Sequence, residues 1–230
     1  MRDTPCGRVD CPIVDPGDID RRSLRLDTIA AGATRFRVAR TEFGTRVFAP
    51  LGVGNRRFSP LEGRGHTYVA EQRSAAVLES ALHEAAGPNP RIYAATLAAF
   101  GLYRLHFDSE LRLIDLRDSA LIDLGLDRSQ LTGADPMHYA CTRRVAEALA
   151  GTKRTAGVVW TSRQGALHAE RNPDGLASEV LRHQSLDVAV LYEPDTPGNV
   201  TVTGPEPLVV AGSPTRFVVE LANLLRIAIL

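Results

Sequence analysis

The chain has 230 residues, 44% of them apolar, which is enough for one domain with a substantial core. Its 27 lysine and arginine residues balance 27 acidic residues, so it lacks the basic excess of proteins that bind nucleic acid directly. No apolar run reaches the roughly 20 residues that cross a bilayer, and the acidic, proline-containing N-terminus is not typical of a signal peptide. We therefore expect a cytoplasmic protein with no direct nucleic-acid partner and no membrane partner.

The cysteines and histidines do not predict a metal site. The three cysteines, Cys6, Cys11 and Cys141, are odd in number and match neither a zinc pattern nor a disulfide framework. The six histidines show no ligand spacing either, and they are His66, His83, His106, His138, His168 and His183. We expect no bound metal.

The first third of the chain predicts an extension followed by two strands. Residues 1–30 have no clear period and form a predicted N-terminal extension, with a short helix over residues 18–29. A single domain is expected over residues 31–230. Its first strand covers residues 34–39, and a loop-rich stretch leads to an alternating strand over residues 66–71.

A helix is expected next, from an N-cap at Ser74 to about residue 86, where Gly87-Pro88 stops it. Its apolar stripe at helical spacing consists of Ala75, Leu78, Leu82 and Ala85.

The remaining elements alternate between strands and a few helices. Strands are predicted over residues 92–96, 102–107, 111–116, 157–162, 186–192 and 199–203. An amphipathic helix covers residues 137–150 and ends at Gly151, whereas residues 217–229 fit either a helix or a strand. The mixture indicates an α+β fold.

Two polar residues have informative surroundings. Glu79 lies beside the apolar stripe of its helix, and a carboxylate there needs a cavity or a partner, such as a salt bridge to an arginine. Ser162 follows an apolar strand where the chain turns outward, a frequent position for functional residues and also for a hydroxyl that caps a loop. Neither a Gly-x-Ser-x-Gly elbow, a P-loop nor a dinucleotide fingerprint is present.

The order of several segments resembles the RES domain, which is named for an arginine, a glutamate and a serine. Arg57 in Asn-Arg-Arg-Phe-Ser-Pro, Glu79 in Ala-Val-Leu-Glu and Ser162 in Gly-Val-Val-Trp-Thr-Ser-Arg match these positions. Arg37 in Phe-Arg-Val resembles the family's opening strand, and Tyr68 resembles the tyrosine before the glutamate helix. The resemblance covers residues 34–192. The Arg56-Arg57 doublet leaves the register of the site arginine open by one residue.

The resemblance implies an ADP-ribosyltransferase-like mixed β-sheet core with a few flanking helices. It implies an enzyme that degrades NAD⁺ at the nicotinamide–ribose N-glycosidic bond, by hydrolysis or by phosphorolysis. No cofactor is implied beyond NAD⁺ as substrate, and inorganic phosphate is the candidate second substrate. The implied catalytic residues are Glu79, Arg57 and Ser162. Substrate binding would fall to Arg37, Arg57, Tyr68 and Ser162.

The resemblance also implies that the chain is a toxin neutralised by a cognate helix-turn-helix (Xre-like) antitoxin. A homodimer and a toxin–antitoxin hetero-oligomer both fit this interpretation. Two alternatives remain open, a protein mono-ADP-ribosyltransferase and a non-catalytic module that binds NAD⁺ or another nucleotide. The acceptor of the ADP-ribosyl group is therefore water, phosphate or protein.

Overall fold

A computed structural model describes residues 4–44, 46–52, 56–83, 85, 89–133, 135–150, 152–162, 186–196 and 198–230. Some features of the sequence fall outside these residues, namely Gly54 and Asn55, the Gly87-Pro88 stop, Gly151, and residues 163–185 with Arg163. Within the described part, no helix has both the length and the apolar character needed to cross a membrane.

The described residues form twelve strands and five α-helices. The strands are β1 (Leu26–Ile29), β2 (Thr34–Arg40), β3 (His66–Ala70), β4 (Arg91–Ile92), β5 (Phe100–Phe107), β6 (Leu111–Asp115), β7 (Gly157–Thr161), β8 (Asp187–Tyr192), β9 (Val200–Pro207), β10 (Val209–Val210), β11 (Ser213–Pro214) and β12 (Ala228–Ile229). The helices are α1 (Arg73–Glu79), α2 (Ala94–Ala98), α3 (Asp118–Asp123), α4 (Tyr139–Leu149) and α5 (Arg216–Leu224).

Eight of these strands form one mixed sheet in the order β1-β6-β7-β8-β3-β2-β5-β9. Strands β6 and β7 are parallel, and the other neighbours are antiparallel. Two short pairs, β10 with β11 and β12 with β4, lie outside this sheet. The predicted α+β class with a mixed sheet and a few helices is confirmed.

Alternation along the central strands sends side chains to two cores. Val158 and Trp160 of β7 pack in the larger core, which also contains α1, whereas Val159 packs in the smaller core on the other face. Gly157 begins β7 where the sheet is tight, since a Cβ there would lie 1.9 Å from the Val190 carbonyl oxygen. By the same alternation, Ser162 faces the side of the sheet on which α1 packs.

The helix predicted over residues 18–29 is wrong, because the end of this segment is an edge strand. Residues Leu26–Ile29 pair antiparallel with β6, so a strand of the main sheet precedes β2 in the chain. Sheet pairing and the β-branched pair Thr28 and Ile29 outweigh the weak helical pattern.

One arginine, Arg117, links strand β1 at the edge of the sheet to two other strands. The Arg117 guanidinium donates two hydrogen bonds to the Asp115 carboxylate of β6, at 2.9 and 2.8 Å. The same guanidinium contacts Asp27 of β1 and Asp187 of β8 at 3.0 Å each, so it ties three strands together. These carboxylates raise the pKa of Arg117.

Helix α1 is shorter than predicted, ending at Glu79 rather than near residue 86. Gln72 occupies the N-cap position and Ser74 is buried inside the first turn, so the predicted cap is wrong. The apolar stripe is nevertheless buried as expected, since the turn after the helix returns Leu82, whose amide donates to the Val77 carbonyl at 2.9 Å. The early end places the Glu79 side chain at the helix terminus.

Two further segments differ from prediction. The strand expected over residues 92–96 is only Arg91–Ile92, because the alanine-rich stretch that follows forms α2. Residues 217–229 contain both of the structures that fit their pattern, the helix α5 and the strand β12.

Candidate active site

One cavity of about 400 Å³ gathers most of the residues that the sequence singled out. Its walls come from β2, from β3, from the end of α1 and from the start of α4. The predicted residues that line it are Arg37, Arg57, Tyr68 and Glu79, and Arg56 lines it as well.

Glu79 and Ser162 are in direct contact. The Ser162 hydroxyl donates a hydrogen bond to Glu79 Oε1. Ser162 is completely buried, and its backbone amide donates to the Leu186 carbonyl at 2.8 Å, which extends the β7–β8 pairing by one residue. Ser162 is not among the described residues that line the cavity, so it reaches the cavity through Glu79. Ser162 is thus in contact with the carboxylate, and its predicted contact with substrate stays a prediction.

Arg57 is held firmly against α4. Its side chain is buried, and its guanidinium lies 5.7 Å from the ring centroid of Tyr139, at the first turn of α4. The Thr142 hydroxyl donates to the Arg57 carbonyl oxygen, and Tyr192 donates to the next carbonyl along the chain, that of Phe58, at 2.9 Å. Arg56 is exposed, so the doublet presents one buried arginine and one exposed arginine to the cavity.

Tyr68 contributes a fixed ring to the cavity. Its hydroxyl lies 3.1 Å from the Ser59 hydroxyl and accepts from the Phe58 amide at 3.4 Å. Its ring meets Trp160 edge-on at 5.9 Å between centroids. Burial raises the pKa of Tyr68 to about 12, so the phenol is neutral at ordinary pH.

Arg37 uses its guanidinium to support the cavity wall. It donates to the Val47 carbonyl at 2.6 Å and to the Gly44 carbonyl at 2.7 Å. Burial lowers the pKa of Arg37 to about 10, which still leaves it charged at neutral pH. The structure shows Arg37 bound to these two loop carbonyls. A contact between Arg37 and substrate stays a prediction.

His66, Tyr139 and Trp160 also line the cavity and were not predicted as site residues. His66 was within reach of sequence reasoning, because it precedes Tyr68 by two residues in an alternating strand and therefore shares its face. It is 6% exposed, and its Nδ1 atom is buried without a hydrogen-bond partner among the described residues. Burial, together with the positive charge of Arg56, lowers the pKa of His66 to about 4.

The low pKa of His66 predicts a loss of stability in mild acid. Between about pH 6.5 and pH 4 the unfolded chain protonates this histidine and the folded chain does not. The contribution is therefore intact above pH 6.5 and decreases as the pH falls towards 4, by about 2 kcal/mol between pH 7 and pH 5. The free energy of unfolding, measured with urea at both pH values, should not show this decrease in His66→Gln. The variant His106→Gln, which changes an exposed histidine, should still show it. Equal pH dependence in all three proteins would contradict the assignment.

The charges around the cavity are strongly asymmetric although the chain as a whole is neutral. Five arginines line it, whereas Glu79 is the only carboxylate among the described lining residues. The arginines are Arg37, Arg40, Arg46, Arg56 and Arg57. Such a cleft attracts an anionic ligand, and guanidinium groups bind phosphate oxygens through paired hydrogen bonds.

The fold and the cavity define an α+β protein that holds a serine-supported carboxylate within an arginine-lined cleft. The family model of the RES domain matches residues 31–194, and the chain belongs to this family. This confirms the resemblance drawn from Arg57, Glu79 and Ser162.

A solved structure supports the same fold. The chain is similar to a chain in the crystal structure of the M. tuberculosis MbcT–MbcA toxin–antitoxin complex, with a TM-score of 0.54 and 16% identity. The similarity covers 92% of this chain and 98% of that one. None of the curated proteins matches the sequence.

Proposed function

We propose that the chain is a toxin that degrades NAD⁺ by cleaving its nicotinamide–ribose bond. The observation that carries this proposal is the Glu79 carboxylate, bound by Ser162, in a cavity that five arginines also line. NAD⁺ matches both kinds of charge. Its diphosphate suits the guanidinium groups, and its ribose becomes cationic as the bond to nicotinamide breaks, which suits the carboxylate.

Glu79 would act on the reacting carbon. The electron pair of the glycosidic bond leaves with nicotinamide, whose ring becomes neutral, and the anomeric carbon gains positive charge. A carboxylate about 4 Å away stabilises that charge by roughly 4 kcal/mol at an effective dielectric constant near 20. Realised only in the transition state, this equals about 10³-fold in rate. Water or phosphate then forms a bond to the anomeric carbon, and an attacking water gives up its proton to the solvent.

Tyr68 and Arg57 would hold the nicotinamide ring and the diphosphate of the substrate, respectively. The neutral Tyr68 ring offers its face to the cationic nicotinamide, an attraction of about 1 kcal/mol. Arg57, immobilised over Tyr139, would clamp a phosphate oxygen with two parallel hydrogen bonds. Together they hold the glycosidic bond beside Glu79.

Ser162→Ala should lower kcat about 10-fold and leave KM within about 2-fold, since it frees the carboxylate without touching the substrate. Steady-state rates of nicotinamide release give both constants. Ser109→Ala, which changes a surface hydroxyl bonded to Asp108, is the matched control and should resemble the unaltered chain. A rise in KM with unchanged kcat would show that Ser162 binds substrate directly instead.

Identification of the products tests the proposed reaction. The purified chain is incubated with NAD⁺ labelled in the adenosine part, with and without inorganic phosphate, and all products are identified by mass. Free nicotinamide with ADP-ribose indicates hydrolysis, and nicotinamide with a phosphorylated ADP-ribose indicates phosphorolysis. Label retained on protein indicates ADP-ribosyl transfer, and intact NAD⁺ bound without turnover indicates a binding module. Either of the last two results would overturn the proposal.

The toxin role has its own test. The structural neighbour comes from a toxin–antitoxin complex, which supports a partner antitoxin for this chain. The proposed site of action is the cytoplasm. Induced expression in a bacterial host should deplete NAD⁺ and stop growth, and Glu79→Gln should do neither. Co-expression of the cognate Xre-like antitoxin should restore growth. Growth arrest without loss of NAD⁺ would contradict the proposal that the chain is toxic because it degrades NAD⁺.

A further inference from the structure

Three cysteine sulfurs converge beside the start of α4, and a histidine nitrogen lies against one of them. The sulfurs of Cys6, Cys11 and Cys141 all lie within 4.8 Å of one another. Cys11 Sγ is 3.6 Å from Cys141 Sγ and 3.3 Å from His138 Nδ1. None of these four residues is among those that line the candidate active site. They form a separate cluster, here called the Cys₃His cluster.

Two separations in this cluster suit a tetrahedral ion. The His138 ring lies outside the group of atoms that are all within 4.8 Å of one another, so it would have to shift when an ion binds. With metal–sulfur bonds of about 2.3 Å and a metal–nitrogen bond of about 2.05 Å, tetrahedral ligands lie about 3.8 Å apart between sulfurs and about 3.6 Å apart between sulfur and nitrogen. The separations of 3.6 Å and 3.3 Å fall within a few tenths of an ångström of these values. Three thiolates and one imidazole are a common structural ligand set of Zn²⁺.

The spacing along the chain is also that of zinc ligands. Cys6 and Cys11 are separated by four residues, and His138 and Cys141 by two. Sequence reasoning missed this pattern because its two halves are about 130 residues apart and the second half pairs a cysteine with a histidine.

The four side chains of the cluster differ in burial. Cys141 and His138 are buried and the other two ligands are half-buried, so an ion there would be enclosed on one side and reachable from solvent on the other.

We propose that Cys6, Cys11, His138 and Cys141 bind one structural Zn²⁺ that fastens the N-terminal segment to the start of α4. The proposal does not rest on the NAD⁺ chemistry. It nevertheless reaches the active site, because Tyr139 follows His138 and lies against Arg57, and Thr142 follows Cys141 and binds the Arg57 carbonyl. The ion would thereby stabilise the first turn of α4, which Arg57 contacts.

Metal content tests the proposal directly. The full chain, purified under reducing conditions without chelator, should contain one zinc ion per molecule by plasma mass spectrometry. Cys11→Ser and His138→Gln should each reduce that content to below about a tenth. The exposed His106→Gln is the matched histidine control and should retain the ion. Full zinc content in both ligand variants would overturn the proposal.

A second experiment uses only the unaltered chain, so it is independent of misfolded variants. Removing zinc with a chelator should make the three thiols reactive towards alkylation and lower Tm by at least ~5 °C, and added Zn²⁺ should reverse both changes. Co²⁺ added to the metal-free chain should give the intense visible absorption of a tetrahedral thiolate complex. A reduced chain that binds neither ion, or an intact mass two hydrogens lower because a disulfide has formed, would overturn the zinc site.

Discussion

Glu79→Gln is expected to lower kcat for nicotinamide release by at least about 10³-fold. The substitution keeps the size of the side chain and its hydrogen bond with Ser162 but removes the negative charge that would stabilise the cationic ribose. Because the fold loses little, Tm should stay within ~2 °C and NAD⁺ should still bind. Single-turnover release of nicotinamide, followed by mass, measures the effect over the required range.

The matched control is Glu110→Gln, an exposed glutamate outside the cavity, which should retain full activity. A folded Glu79→Gln protein that keeps more than about a tenth of the original kcat would remove Glu79 from the chemistry. The same result would leave the zinc proposal untouched, since the Cys₃His cluster is elsewhere.

Arg57→Lys is expected to reduce kcat/KM for NAD⁺ about 100-fold, equivalent to about 2.7 kcal/mol. Lysine keeps the positive charge but loses the planar fork that binds two phosphate oxygens and lies against Tyr139. Most of the loss should appear in KM, because the diphosphate is bound equally before and during reaction. Initial rates across a range of NAD⁺ concentrations separate the two constants.

Arg56→Lys gives the matched comparison, because it makes the same change one residue earlier on an exposed side chain. Arg56→Lys should lower kcat/KM for NAD⁺ by less than about 5-fold. The pair therefore decides which arginine of the doublet occupies the family position. Equal losses in both variants, or a larger loss in Arg56→Lys, would contradict the assignment to Arg57.

Part of the site could be predicted because it depends on local periodicity. The apolar stripe of α1 fixed the side of the helix on which Glu79 lies, and the two-residue alternation of β7 places Ser162 on the same side as Trp160. Two elements that each bury their apolar face against one core place these positions on facing surfaces. The sequence patterns therefore give the shared side of Glu79 and Ser162, whereas their direct contact also depends on where α1 ends along β7.

Other features could not be predicted because they depend on pairings between distant segments. Residues Leu26–Ile29 are a strand only because β6 lies beside them, and Arg117 holds that edge through carboxylates from three strands. The role of Arg37 was hidden for the same reason, since its carbonyl partners lie in an irregular loop. The Cys₃His cluster joins a pair of ligands near the N-terminus to a pair about 130 residues later, and the short spacing within each pair does not reveal that the two pairs meet.

A crystal structure of Glu79→Gln soaked with NAD⁺ tests the central claim most directly, because this variant should bind the dinucleotide without consuming it. The account predicts the anomeric carbon of the nicotinamide ribose within about 4 Å of the side chain at position 79, with the diphosphate against Arg57. A dinucleotide bound on another face of the protein, or one bound in this cavity with its adenine end beside position 79, would contradict the account.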